Sequence, residues 1–538
     1  IPMSFAENYH VGSQYVLNFN TVPAIKPFIW TEGIPLLSKF KGNHFYFFPN
    51  SYSLSGDMNR TFKVWENSSR VRTRTLNRDF RGTFRVAYKI SDNLNSNYNM
   101  DTKRDITDPR SVVFSFNPSK FKLGREVNYS ESWGTSYTPN LFNFLSHKFN
   151  FSTSYREDIN SDDRARNANA SKSYGMSGVF DFNKFFAARA SKQSSTPTSS
   201  PPKGKTGSAD KGQSDIQRAF YSAVGVMRFL TGWIRPITYD FNEHYGYSYP
   251  RLVDRARFMF RLGLTEDIGA KTNSQSGSYG SAISTSKSTG YTLSSGTEFL
   301  GGLKTNVTFS RKISKDVIKV INPQKSVATT FPDIDFTIQP LTTFDVLNPL
   351  ITRFSPRTSY TRTKSAYYNL SSGFKTSEEV STSQRPLLAF NIDVTRGVQI
   401  NISTDRSVTE KKAYNTQTGK LDSRRRDKTS GLSISTKYSF SSPTGIKIPL
   451  FGRLKFNSTM SVAVEITRQK QRSEASNGNM PFTSTGERSD FMIVPNISYS
   501  FSSQITGGLS ARWQDTNDIA YKRKTHAREL RCWVNIRF

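Results

Sequence analysis

Leu530-Arg531-Cys532-Trp533-Val534-Asn535-Ile536-Arg537-Phe538 closes the sequence. Its even positions, Leu530, Cys532, Val534, Ile536 and Phe538, are apolar. Its odd positions Arg531, Asn535 and Arg537 are polar, with Trp533 the exception. A period of two puts the apolar set on one face of a β-strand. Two surroundings accept such a strand: a soluble core packed on the apolar face, or a lipid bilayer that meets that face directly. The rest of the chain separates the two.

The same alternation recurs upstream. Leu454, Phe456, Met460, Val462, Val464 and Ile466 share one face. The opposite face carries Arg453, Lys455, Asn457, Thr459, Ser461, Glu465 and Thr467. A strand of about fifteen residues is long for a globular sheet. Two hairpins are legible. Leu388, Phe390, Ile392 and Val394 run to a turn at Arg396-Gly397 and return as Val398, Ile400 and Ile402. Phe491, Ile493, Ile497, Tyr499 and Phe501 run to Ser502-Ser503 and return as Ile505, Leu509, Ala511 and Trp513. Thr506, Ser510, Arg512 and Gln514 oppose that return set. The connections at the far ends, 403–430, 468–488 and 514–527, read as long polar loops. Short turns at one end and long loops at the other are the signature of an outer-membrane barrel. Further alternation at Phe84, Val86, Tyr88 and Ile90, and at Leu303, Thr305, Val307 and Phe309, brings the expectation to roughly 20 strands. No fixed-period repeat appears.

Composition agrees. Stretches of about 18 apolar residues, which a membrane helix requires, are missing. Aromatics reach 13% in a chain of only 35% hydrophobic residues, which suits girdles at membrane interfaces. The formal charge of +32 invites a soluble nucleic-acid binder. Against that, the basic residues alternate with apolar ones inside strands, and no nucleic-acid module accompanies them. Arg424 to Arg426 reads as free surface charge. A single cysteine, Cys532, excludes an intramolecular disulfide framework. It reads as a small buried apolar residue. The start, Ile1-Pro-Met-Ser, has neither a basic nor an apolar leader region, so the expectation is that an amino-terminal portion lies outside this sequence.

Two segments depart from alternation. Residues 191–213, rich in Ser, Thr, Pro, Gly and Lys, read as a disordered insertion. Residues 214–232 read as a short amphipathic helix. Ser214 and Gln217 form a capping box, Ile216, Phe220, Ala223, Val224, Met227 and Leu230 make the stripe, and Gly232 ends it. No catalytic constellation emerges. His10, His44, His147, His244 and His526 have no metal-ligand spacing. Phosphate-loop and nucleophile-elbow motifs are missing. Glu157, Asp158, Asp162 and Asp163 lack the glycine and spacing of a calcium loop and read as a solvated loop. The chain is therefore expected to be no enzyme and to hold no metal or cofactor.

Several longer segments resemble a known family. Gly232-Trp-Ile-Arg-Pro-Ile-Thr-Tyr-Asp240, Phe331-Pro-Asp-Ile-Asp-Phe-Thr-Ile-Gln-Pro-Leu341, Phe354-Ser-Pro-Arg-Thr-Ser-Tyr-Thr-Arg362 and Gly445-Ile-Lys-Ile-Pro-Leu-Phe-Gly-Arg-Leu-Lys-Phe456 occur in this order. Together they resemble the carboxy-terminal part of the SprA/Sov family. The terminal Phe538 also resembles the insertion signal of bacterial outer-membrane barrels. The family resemblance implies an outer-membrane translocon of the type IX secretion system, tied to gliding motility, that passes folded cargo through a very large barrel. It implies as partners a lateral-gate shuttle protein, a plug, secreted cargo and the remainder of the same chain.

The expectation is thus an all-β, large antiparallel transmembrane β-barrel, part of a larger one, in a bacterial outer membrane. Residues 1–538 would be its carboxy-terminal portion. Arg453, Lys455, Glu465, Arg512, Gln514, Arg531 and Arg537 are the lumen-facing candidates, expected to keep a wide pore hydrated. Leu530, Cys532, Val534, Ile536 and Phe538 form the lipid-facing, barrel-closing strand. Lipid is an expected partner and nucleic acid is not. The competing readings are a porin, a lipopolysaccharide-assembly barrel or a nutrient transporter, and then a soluble basic β-protein that binds nucleic acid or glycans.

Overall fold

The computed structural model describes residues 4–19, 22–29, 42–66, 72–107, 124–139, 142–159, 165–185, 232–271, 283–299, 302–318, 323–338, 350–395, 397–448, 452–501 and 504–536. They form 21 strands. The first ten are β1 (Ser4–Asn18), β2 (Ala24–Ile25), β3 (Phe45–Tyr46), β4 (Ser51–Glu66), β5 (Arg72–Ser91), β6 (Leu94–Asp105), β7 (Arg125–Tyr137), β8 (Leu145–Ile159), β9 (Arg166–Phe180) and β10 (Ile237–Leu252). Next come β11 (Ser284–Phe299), β12 (Leu303–Ile318), β13 (Gln324–Ile338), β14 (Ile351–Asn369), β15 (Lys375–Val394) and β16 (Val398–Tyr414). Last come β17 (Leu421–Ile448), β18 (Gly452–Asn477), β19 (Thr483–Ser500), β20 (Ile505–Asp518) and β21 (Arg523–Ile536). All belong to one 21-stranded sheet. The chain is almost entirely β, with only four-residue helical turns at 182–185 and Phe258–Arg261 among the described residues. None of the described helices is long and apolar enough to cross a membrane.

Two compact units divide the chain. The first comprises Ile1–Phe180, Tyr239–Tyr291 and Ile313–Gln324. In it β1 pairs with β4, and β4 through β9 follow as successive antiparallel neighbours. The second comprises Asp181–Thr238, Thr292–Lys312 and Lys325–Phe538, and in it β14 through β21 pair in sequence order. Each strand meeting the next in chain order is the simplest way to satisfy backbone groups across a wide sheet.

Both expected hairpins form, and the structure supplies their register. Val394 faces Val398, Ile392 faces Ile400 and Phe390 faces Ile402. Gly397 makes that turn possible, since its φ of +83° is costly for any residue with a Cβ. Ile493 faces Trp513 and Ile497 faces Leu509. One irregularity falls between Gln384 and Leu388, where Pro386 offers no N–H to the ladder.

The long polar loops do not form. Residues 403–430 are instead the far halves of β16 and β17, joined through 415–420. Likewise 468–488 continues β18 and β19 around 478–482, and 514–527 continues β20 and β21 around 519–522. β17 and β18 consequently reach 28 and 26 residues. The apolar signal disappears in these extensions because both faces become polar. Cross-strand charge pairs hold the ladder instead: Arg426 to Glu410 at 2.9 Å, Lys470 to Glu487 at 2.6 Å and Lys411 to Glu379 at 3.2 Å. The insertion at 191–213 and the helix proposed within 214–232 lie outside the described residues, apart from Gly232.

Candidate functional site

Strand parity gives the described hairpins, short of their polar extensions, two unlike faces. In the first unit the polar face is built of small groups: Ser130, Ser132 and Gly134 on β7, Ser152 and Ser154 on β8, and Ser171 and Ser173 on β9. They hydrogen-bond across strands, Ser154 to Ser171 at 2.7 Å and Ser173 to His244 at 2.7 Å. Arg81 adds a bidentate pair to Asp101, closing to 2.6 Å. Short hydroxyl and amide side chains dominate this stretch of the face, with Arg81 and Arg156 the exposed exceptions.

The second unit gathers the candidate lumen residues whose side chains are described. Glu465 stands opposite Ser435 and Val494. Arg512 stands opposite Glu529, Gln514 opposite Ala527 and Arg531 opposite Ser510. These positions share one face, and all but Gln514 among the four candidates are exposed. Arg512 Nη2 donates to Gln514 Oε1 at 2.6 Å, and Arg531 pairs with Glu529 at 2.5 Å. Met492 and Val494 interrupt the polar surface here, and with Ser510, Arg512, Glu529 and Arg531 they line a shallow groove. Arg453 and Lys455 occupy β18, but their side chains, like residues Arg537 and Phe538, lie outside the described part.

The opposite face is apolar and largely uncovered. Leu509 and Trp513 on β20 are each 44% exposed, and Leu530 on β21 is 70% exposed. Cys532, Val534 and Ile536 share that face, opposite Leu509, Gly507 and Ile505. Cys532 is therefore exposed rather than buried in a protein core. In the first unit the apolar face carries an aromatic group: Trp133 lies 5.3 Å from Phe151, which lies 5.1 Å from Tyr174. An uncovered apolar surface of this extent marks contact with something other than water.

One stretch of the apolar face is covered, and sequence reasoning missed it. Beyond the aromatic rows, β7 and β8 place Tyr129 opposite Glu157 and Glu131 opposite Tyr155. Tyr129 and Tyr98 both donate to Glu131 at 2.8 Å, and Tyr155 donates to Glu157 at 2.7 Å. Residues 253–271 fold back over this checkerboard, closed on themselves by Val253 N to Lys271 O at 3.0 Å and Arg257 N to Ile268 O at 2.9 Å. The segment delivers two cations. Arg255 donates to Glu157 at 2.7 Å, pairs with Glu126 and stacks 3.8 Å over the Tyr129 ring. Arg261 reaches Glu131 at 3.2 Å. Burial disfavours the Arg255 charge, but the Glu157 and Glu126 carboxylates outweigh it and hold the guanidinium above its ordinary pKa. Phe260, Ala256 and Leu252 complete a buried cluster with Tyr129, Tyr155 and Ala168. Gly263, at φ +68°, sits so close that a Cβ would meet Thr153 Cγ2 at 2.5 Å.

Glu157 is thus fully buried and paired with Arg255 and Arg166, not part of a solvated loop. Asp162 and Asp163 lie outside the described residues. The legible signal was the repeated Tyr-x-Glu at 129–131 and 155–157, which parity places on the apolar face. Among the described residues no group of His, Cys, Asp and Glu is arranged to hold a metal.

No protein-family model and no curated protein sequence matches the chain. Among solved structures, the siderophore receptor PirA from Acinetobacter baumannii is similar at 9% identity and a TM-score of 0.27, over 99% of this chain and 80% of that one. FpvA from P. aeruginosa, bound to heterologous pyoverdines, is similar at 8% identity and a TM-score of 0.25, over 92% and 70%. Likeness at this level carries no argument about what this chain does.

Proposed function

We propose that the chain is part of the wall of a large outer-membrane β-barrel, with its polar face toward a protein-conducting lumen and its apolar face toward lipid. The observation that carries this is the uncovered apolar face. Apart from the two-residue β2 and β3, the strands run from 12 to 28 residues, whereas about 9–11 tilted residues cross a bilayer. A soluble sheet of this size would bury its aliphatic rows under a second layer. Among the described residues the buried apolar cluster is instead small and confined to the patch under 253–271. In the first unit the small, hydroxyl-rich stretch of the polar face supports a conduit, since it offers a passing chain little to hold. The sequence resemblance to the SprA/Sov family supports assigning the conduit to type IX secretion, with a shuttle, a plug and folded cargo as partners and gliding motility downstream. Energy would come from other machinery.

Thiol labelling in intact cells tests both levels. With a membrane-impermeant maleimide, native Cys532 stays unlabelled in lipid, whereas Arg531→Cys in a Cys532→Ser background reacts. Equal labelling of both positions contradicts the barrel. Glu465→Cys and Arg512→Cys should cross-link to cargo stalled by a fused, tightly folded domain. A barrel with the expected labelling and no cargo cross-link rejects the conduit alone.

A further inference from the structure

Rows of residues can be followed across β16, β17 and β18 on the apolar face, because facing residues in successive pairs share a face. The last apolar row is Ile402, Ile434 and Ile466. The next three rows, toward the turns at 415–420 and 478–482, hold Arg406, Lys428, Arg468, Lys470 and Arg472. Adjacent strands lie about 4.8 Å apart, so these cations form one patch bordering the isoleucines. On the polar face the same rows hold Asp405, Ser407, Gly431, Thr429, Gln469 and Gln471. Positive charge is confined to the outer side, and it begins where the apolar rows stop.

Acids neutralise only part of the patch. Glu474, almost buried, takes Lys428 at 3.0 Å and Arg472 at 3.0 Å, with Arg426 at 3.9 Å. One carboxylate thus serves three cations. Lys470 pairs with Glu487. Arg406 and Arg468 are exposed, and neither has an acidic partner among the described residues.

We infer that Arg406 and Arg468, backed by the surplus charge around Glu474, form a binding patch for phosphate groups on the headgroup of an anionic outer-leaflet lipid. The inference rests on the outer-membrane reading of the apolar face. Charge complementarity and position carry it. Acyl chains against Ile402, Ile434 and Ile466 bring a headgroup to the level of the two guanidinium groups, whose planar donors match phosphate. A soluble anion would meet the same cations but would gain nothing from the isoleucine rows beside them, which an acyl chain can cover.

The full-length protein, reconstituted in phosphatidylcholine nanodiscs, provides the test. Lipid A carrying its phosphates, dephosphorylated lipid A and inorganic phosphate are added separately, and bound lipid is counted by native mass spectrometry. The expected result is retention of phosphorylated lipid A alone. R406Q/R468Q should weaken it about 30-fold, from about five-fold per basic residue near a charged interface. R406K/R468K, which keeps both point charges but not the planar donors, should recover only part of it. Lys437→Gln, on the polar face, should change nothing. Equal retention of dephosphorylated lipid A overturns the proposal, as does full competition by inorganic phosphate or a wild-type affinity in R406Q/R468Q. Failure of the wild-type protein to enter nanodiscs would instead reject the membrane reading itself.

Discussion

The walls β7–β9 and β16–β18 face the same problem and solve it differently. Each carries carboxylates on the apolar face beyond its apolar rows: Glu131 and Glu157 directly after them in one, Glu410 and Glu474 four rows on in the other. In β7–β9 the cations arrive from a remote segment, and Arg255 crosses the sheet to a residue nearly a hundred positions away. The connection after β10 is long enough to supply cover, aromatic packing and charge together. In β16–β18 the turns at 415–420 and 478–482 leave nothing to fold back. Every charge must therefore be met by strand neighbours in register, and the exchange is incomplete. Cover produces a closed network in which Arg166, Arg255 and Arg261 each meet a carboxylate, whereas register alone leaves exposed cations without one.

The largest expected effect lies in the covered wall. Glu157→Gln leaves Arg255 and Arg166 against a neutral amide under a protein layer. Breaking a buried pair this way costs about 3–5 kcal/mol. The double change Glu157→Leu with Arg255→Met should recover most of that loss, because an apolar pair of similar size needs no desolvation. Denaturant unfolding of the reconstituted protein measures both, and trypsin cleavage at Arg257 or Lys271 reports whether the segment has lifted. A double variant as unstable as the single one would mean that the network does more than balance charge.

The second effect tests which side of β18 meets lipid. Ile466→Arg places a charge among the isoleucines and should cost about 2–4 kcal/mol if that row lies near the bilayer midplane, less toward its edge. Glu465→Arg, one residue away on the polar face, should change stability by no more than about 0.5 kcal/mol. Similar costs for the two would erase the distinction between the faces on which the comparison of walls depends.

The third effect concerns the turn between β5 and β6. Lys89 and the backbone N–H and ring of His44 all converge on Asp92, at 2.8 to 2.9 Å, with Tyr46 at 3.0 Å. Lys89 above all, then the His44 N–H, holds its carboxyl well below the ordinary carboxylate range. A lowered folded pKa contributes stability that is complete above the unfolded value of about 4 and fades as pH falls through the folded value. Asp92→Asn should therefore lose about 1–2 kcal/mol at neutral pH. The difference from wild type should shrink only in strong acid. A difference that vanishes already near pH 5 would remove Lys89 and His44 as the cause.

How much of this was legible follows from the same contrast. The hairpins at 388–402 and 491–513 were readable to the residue, since one face is aliphatic and the other polar. The shared face of Glu465, Arg512, Gln514 and Arg531 followed from parity alone. The strand extensions were not readable, because Arg424, Lys428 and Arg472 alternate with other polar residues and hydropathy cannot tell a charged ladder from a loop. Arg424 to Arg426 is accordingly strand rather than free surface charge, with Arg426 tied to Glu410. The cover over β7–β9 was invisible for another reason. Nothing local to 253–271 announces Glu157 as its target, and only the Tyr-x-Glu pair on two neighbouring strands hinted at a buried surface.

The smallest effect separates charge pairing along a strand from pairing across strands. Residues two apart share a face, and Arg425 with Asp427 uses that spacing at 3.1 Å, as do Arg156 with Asp158 at 3.2 Å and Arg488 with Asp490 at 2.9 Å. Such pairs fix neither register nor partner, because both members sit on one strand. They also stand in solvent, so Arg425→Ala should cost only about 0.2–1 kcal/mol. Lys428→Ala in the same hairpin removes a cross-strand contact to nearly buried Glu474 and should cost more. A double-mutant cycle for each pair, Arg425 with Asp427 and Lys428 with Glu474, measures the two couplings directly. If the in-strand coupling equals or exceeds the cross-strand one, the extensions are held by strand propensity and backbone pairing. The cations on the outer face would then have no part in keeping β17 and β18 together, and their placement would answer only to what lies outside the wall.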